Sequence, residues 1–283
     1  MTAMKDDKNF FFDVVVSAHV PKNSVSRHNL IILLRKKMCY SLFNMIDKNL
    51  EEASMSGMDL RYMDFSHANL ARADFSHCNL SNAKFFGTHM PNINLKNATI
   101  NDVDMRGCYM NRADLTLVAM SNTNLNNARI RDSNFFSAKI ANCSMKEVDL
   151  ENSDMKYATL INCDLQRANL CSVDLSDANL SHSYMEGVRL SFANLLRINF
   201  ISSYLVDAVL NNVYAKQANF HKAVLLGADL NNSIVSGSLR DANLRSTKLE
   251  GIQLGDCCLV GTEFDDEVVE FFRREKKQNC ILQ

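Results

Sequence analysis

The sequence predicts a solenoid rather than a layered globule, on three observations. Every fifth residue from Leu60 to Val235 is apolar, 36 pentads without a break in register, opening with Leu60, Phe65, Leu70 and Phe75 and closing with Phe220, Leu225, Leu230 and Val235. A period of five matches neither the 3.6 of an amphipathic helix nor the 2.0 of a strand, so each pentad is one side of a turning coil. Two places before each large residue stands a small one, as at Ala68, Ala73, Cys78, Ala83 and Thr88, so that a large and a small inward residue per pentad fill a narrow interior. Between the two, Asp or Asn recurs, suited to hydrogen-bonding the backbone of the adjoining turn.

Residues 1–52 precede the repeat. Within them, residues 28–47 space Leu30, Leu33, Leu34, Met38, Leu42, Met45 and Ile46 as an amphipathic helix would, and residues 9–20 read as a strand or second capping piece. A solenoid exposes its core at both ends, so this region is expected to cap the first coil. Residues 53–264 hold the repeat. Met55 begins it, and after Val235 the phase steps back by one residue to Leu239, Leu244, Leu249, Leu254, Leu259 and Phe264, making 43 pentads. A bulge with looser packing is expected at that slip. Residues 265–283 place Asp265, Asp266 and Glu267 ahead of Arg273, Arg274, Lys276 and Lys277, the order a helix dipole favours. Val268, Val269, Phe271 and Phe272 are then available to cover the last coil.

Segments such as ADLTL at 113–117 and ANLCS at 168–172 resemble the A(D/N)LXX unit of the pentapeptide-repeat family. The resemblance covers about three quarters of the chain. It implies an all-β solenoid, a right-handed quadrilateral β-helix of twenty residues per coil, here with a helical N-terminal cap and a short C-terminal helix. At ~4.8 Å per coil, about eleven coils make a rod about 50 Å long. Stacking by twenty places Phe65 under Phe85 and Phe200 under Phe220.

Composition narrows the function. Lys and Arg (31) balance Asp and Glu (32) and no segment is strongly basic, which argues against a nucleic-acid binder. There is no run of eighteen apolar residues, and residues 9–20 are interrupted by Asp13, so neither a membrane span nor a signal peptide is expected. Nine Cys without a compact spacing framework suggest reduced thiols. Cys78, Cys108, Cys143, Cys163 and Cys257 fall at the small inward position and read as packing residues. The twenty-residue stacking aligns His67 with Gly87 and His77 with Asn97, which disperses the histidines, so neither a metal site nor a cofactor is expected. Asp59, Asp64, Asp74, Asp104, Asp114, Asp149, Asp154, Asp164 and Asp174 read as turn residues rather than general acids. With no phosphate-cradling loop and no nucleophile motif, no enzyme is expected.

What remains points to binding. Leu117, Phe136 and Tyr157 are outward and expected to cluster on one face, with Phe192 and Leu196 a few coils further along and Ile161, Ile201, Val206 and Leu226 on adjoining faces; contiguous, they form a partner stripe. Cys280-Ile281-Leu282-Gln283 resembles a prenylation box whose final Gln favours farnesyl. One lipid chain anchors only marginally. The basic run Arg273, Arg274, Lys276 and Lys277, and a palmitoyl group on the outward Cys258, are the candidate second signals for an anionic membrane. A mainly bacterial repeat joined to a eukaryotic lipidation signal resembles secreted effectors of intracellular bacterial pathogens, and the acidic cluster at 265–270 resembles type IV translocation signals. That resemblance implies transient contact with a host farnesyltransferase, an unidentified host protein partner, and residence on the cytosolic face of a host membrane, or in the cytoplasm without the lipid. The family's alternative is an acidic rod that mimics duplex DNA and binds gyrase or another type II topoisomerase. Arg106, Arg112, Arg129, Arg131, Lys139 and Lys146, interspersed through the repeat, weigh against it.

Overall fold

The computed structural model describes residues 44–269. Parallel pairing begins at Asn44↔Asp64 and Asn49↔Asn69 and proceeds in steps of twenty, through Asp154↔Asp174 to Asn199↔Asn219. Twenty residues per coil and five per side make the coil four-sided. Met45 and Leu50 are already core, so among the described residues the solenoid is already formed two pentads before Met55. Asn44 to Asp47 therefore belong to a β-coil and not to the helix read over residues 28–47; the rest of that helix and the piece at 9–20 lie outside the described residues.

Each side consists of the small residue, the Asp or Asn, and the large residue; the next two residues turn the corner. The chain's own hydrogen bonds dictate this. The N–H after the corner closes a four-residue turn, as from Ala73 to the Leu70 carbonyl at 3.0 Å, while the large residue's N–H reaches the next coil, as from Leu70 to the His89 carbonyl at 2.7 Å. From Asp47 to Gly251 the second corner residue is left-handed, with φ between +51° and +66° where it is not glycine. Asn and Asp tolerate that region, and Arg72, Tyr157 and Phe192 are held there by the pairing on either side.

The Asp or Asn before each large residue caps the corner. Its Oδ1 accepts the N–H two residues on: Ser66 to Asp64 at 3.0 Å, Thr116 to Asp114 at 3.0 Å, Ser181 to Asn179 at 3.0 Å. Inside, like stacks on like. Phe65 and Phe85 lie 5.0 Å apart and nearly parallel, Phe200 and Phe220 5.3 Å apart. Where the small position carries Ser, the hydroxyl enters the turn of the preceding coil. Ser183 Oγ accepts from the Cys163 N–H at 3.1 Å and donates to the Leu160 carbonyl at 2.6 Å, and Ser233 does the same between Val213 and Leu210. A buried hydroxyl is thereby satisfied with no polar partner from outside.

Pairing widens into strands in two places. β1 (Thr99–Asn101), β2 (Ala119–Ser121), β3 (Lys139–Ala141) and β4 (Thr159–Ile161) form one parallel sheet in that order. β5 (Tyr214–Asn219), β6 (Ile234–Ser238) and β7 (Gln253–Cys258) form the other, which contains the phase slip. Its register shifts between Ala215 and Ala218 and again between Val235 and Gly237, the bulge expected from the sequence. Gly237, at φ +111°, makes the bulge possible, because a Cβ there would stand 2.2 Å from the Ala218 carbonyl oxygen. Beyond it the core loosens: a small apolar cavity is lined by residues including Phe220, Val235, Leu239, Leu254 and Phe264. Leu249, Ile252 and Leu254 of the last coil are only partly buried, and a helical turn starts at 266–269, with Val268 and Val269 half-buried.

Candidate interaction surfaces

Among the described residues, the thiols at inward positions are buried or partly buried. Burial pushes the Cys78 thiol up to about 11 and the Cys108 thiol further; the hydrogen-bonded Cys143, together with burial, pushes Cys163 up as well. These thiols are packing groups, as is the partly buried Cys257. Among the described residues, no cluster of His, Cys, Asp and Glu has the grouping a metal ion needs. His67 lies where a Cβ on Gly87 would meet its ring at 2.8 Å, which confirms their stacking.

The carboxylates are committed to corners and ion pairs. Arg106 forks onto Asp104, with both bonds at 2.8 Å, and holds that carboxyl below its ordinary range; Arg197 does the same to Asp177 from one coil away. Burial works to raise Asp174, but bonds from Ser176 and Lys156 prevail and leave it lowered. Along one side, Asp74, Asn94, Asp114, Asn134, Asp154, Asp174 and Asn194 stand in line. The Asn94 amide donates to Asp74 at 3.0 Å, the Asn194 amide to Asp174 at 3.2 Å, and Lys156 bridges Asp154 and Asp174, so neutral amides interrupt the carboxylates and one cation offsets part of their charge.

Outside, the structure brings together part of the predicted stripe. Leu117, Phe136 and Tyr157 share one corner and are all exposed. The Phe136 and Tyr157 rings meet edge to face at 5.4 Å, and the Leu117 N–H bonds the Phe136 carbonyl. Leu196 lies on the same corner two coils beyond Tyr157 and is half-buried. Phe192, 66% exposed, does not join them: it stacks in line with Ser172 and Asn212 on the next corner, because 192 and 157 do not differ by a multiple of twenty. Cys258 is outward and exposed, as its register requires. Cys280, Ile281, Leu282, Gln283 and the bases Arg273, Arg274, Lys276 and Lys277 lie outside the described residues. No described helix is long and apolar enough to cross a membrane.

Three aromatic groupings were missed by the sequence reading. Tyr184 and Tyr204 stack at 5.4 Å on the outside of one side, His89 and Tyr109 stack at 5.1 Å on another, and Phe86 lies between the His67 ring and the Arg106 guanidinium. The first two pairs hold the place usually held by Asp or Asn, twenty residues apart, and His67, Phe86 and Arg106 hold corner positions in successive coils. That repetition was the available signal.

A search of curated protein sequences finds no match to the chain. Among solved structures, HetL, a pentapeptide-repeat protein involved in heterocyst differentiation regulation in the cyanobacterium Nostoc, is 26% identical, covering 83% of this chain and 96% of its own at a TM-score of 0.40. Trypsin-treated QnrB1, a plasmid-mediated fluoroquinolone resistance protein, is 18% identical over 72% of this chain and 97% of its own, with a TM-score of 0.33. A thylakoid-lumen pentapeptide-repeat protein of Arabidopsis thaliana is 22% identical over 54% and 69%, with a TM-score of 0.17. Superpositions this loose carry no activity over to this chain. The family model for pentapeptide repeats matches in eight copies, over residues 49–87, 78–116, 113–152, 133–170, 153–191 and 193–237, well over half the sequence. The chain belongs to the pentapeptide-repeat family.

Proposed function

We propose that this chain is a non-enzymatic scaffold that binds a protein on the outside of its solenoid. The observation that carries the reading is the exposed Leu117, Phe136 and Tyr157 corner, on a fold whose inward thiols are packing groups and whose turn carboxylates bond their own backbone. Apolar side chains contiguous on a surface mark an interaction site. Replacing all three with Ser should abolish capture of the partner by proximity labelling while leaving thermal stability within about 0.5 kcal/mol, as for surface changes generally; an unchanged set of labelled proteins overturns the reading. The proposal includes a right-handed winding of about eleven coils, capped by residues 28–43 and 265–278.

Sequence alone supports a second layer. With Gln283 as the final residue, Cys280 takes a farnesyl group from a host farnesyltransferase, and Arg273, Arg274, Lys276 and Lys277, with Cys258 as a further acylation site, hold the rod to an anionic cytosolic membrane face, as a translocated bacterial effector would be held. Cys280→Ser should shift the protein from membrane to soluble fractions in a eukaryotic cell, as should a farnesyltransferase inhibitor; unchanged fractionation rejects this layer alone. The Asp and Asn line from Asp74 to Asn194 favours the alternative, a DNA-mimicking topoisomerase binder. Its amide partners and Lys156 weaken that resemblance, and a gyrase supercoiling assay without inhibition or protection at micromolar protein rejects it.

A further inference from the structure

One side of the rod is set apart by charge. Its outward row runs from Asn79 through Thr99, Ala119, Lys139 and Thr159 to Ser238, one residue per coil. Among the described residues, Lys139 is the one charge in that row, and the corner positions next to it, from Asn97 to Gln217 and from Ser81 to His221, add only His221 and the mutually paired Asp177 and Arg197. Further charges, such as Lys96, Lys156, Asp102 and Lys222, stand one residue further round the corners. The rows on the other three sides carry several charges each, among them Asp104, Asp149 and Asp174. The side is also extended by β1 to β4, whose pairing runs past the row to Asn101, Ser121, Ala141 and Ile161. The exposed Leu117 and Tyr157 border it on one corner, the half-buried Ile161 and Ile201 on the other. Asn179 and Asn199 in the row already accept their own corner N–H groups, from Ser181 at 3.0 Å and Ile201 at 3.1 Å, so covering them leaves those oxygens satisfied.

We propose that this side joins two copies of the chain, face to face and antiparallel, about a two-fold axis at Thr159. The inference rests on the scaffold reading and names a second copy as one protein that the outside binds. Charge argues for the second copy. A two-fold contact lays one surface against itself, so a row with repeated charge meets its own repulsion and a nearly uncharged one does not. Charge also sets the direction. With the rods parallel, each rung faces its own counterpart and Lys139 faces Lys139. With the rods antiparallel about Thr159, the middle of the row, Lys139 lies over the coil of Asp177 and Asn179, twice by symmetry, and Leu117 comes over the coil of Leu196. Size is sufficient. About 38 Å of row and about 15 Å of width between the corners give each copy about 600 Å², the lower bound of a specific interface at ~1,200 Å² in total.

The test is sedimentation of the purified full chain over a range of micromolar concentrations. Wild type should sediment as a dimer and dissociate on dilution. Thr159→Asp installs the residue that the repeat itself uses at this place, and Thr159→Lys the one already found at Lys139, so both variants should melt as wild type does. Each sets like charge against like at the axis, and dimer affinity should fall about tenfold or more. Mixed in equal amounts, the two variants should recover the dimer as a heterodimer. Thr99→Asp adds the same charge away from the axis, where the antiparallel arrangement sets it over Asn219, and should weaken the dimer less. A monomer at every concentration, a dimer that both Thr159 variants leave intact, or a mixture that stays monomeric overturns the proposal. Equal loss from Thr99→Asp and Thr159→Asp overturns the antiparallel axis. Each of these results leaves the labelling test of the scaffold reading standing, because that test reads other proteins in the cell.

Discussion

At the scale of single residues, the fold is a matter of which group satisfies which backbone atom. Thr116 needs Asp114 to accept its N–H, so Asp114→Ala should cost about 0.5–1.5 kcal/mol in urea unfolding, whereas Asp114→Asn should be nearly neutral. Ser183→Ala removes the hydroxyl that links Cys163 N–H to the Leu160 carbonyl and should cost about 1 kcal/mol. Thiol reactivity follows burial: Cys258 should be alkylated at once in the native protein, and Cys78, Cys108, Cys143 and Cys163 only on unfolding. Asp104, Asp174 and Asp177 have folded pKa values below their unfolded ones, so the stability they contribute is present above the unfolded value of about 3.9 and is lost as pH falls through the folded ones. Acid titration of the melting temperature should therefore fall mainly below about pH 4, and Arg106→Gln together with Arg197→Gln should flatten that fall.

At the scale of elements, the decisive feature is the slip. Gly237→Ala adds a Cβ 2.2 Å from the Ala218 carbonyl oxygen at a left-handed φ, so the variant should lose about 1–3 kcal/mol, with hydrogen exchange rising first across β5, β6 and β7. Equal protection of wild type and variant there would contradict the strained bulge. This element was legible in the sequence because the large residues step from Val235 to Leu239, one residue short. The start of the solenoid was not. Phe43 and Lys48 stand where Met45 and Leu50 call for a small residue, so the pattern fades before Met55 although the pairing does not. The Tyr184 and Tyr204 pair was missed for the opposite reason: both sit at a position defined by Asp and Asn, and only stacking by twenty makes them neighbours.

At the scale of the molecule, repetition separates stability from function. Each coil contacts its neighbours through the same rungs, so the inside carries the fold and the outside is free to vary. Departures from the repeat on the outside are therefore the informative residues, and they fall at the Leu117, Phe136 and Tyr157 corner and along the Tyr184 and Tyr204 side. On this molecule the outer apolar residues bind protein and do nothing for the fold. The decisive measurement is proximity labelling with wild type and with Leu117→Ser/Phe136→Ser/Tyr157→Ser at matched expression, beside their melting temperatures. The variant should keep its stability and lose the labelled partner; a variant that unfolds, or one that labels the same proteins as wild type, contradicts the binding role.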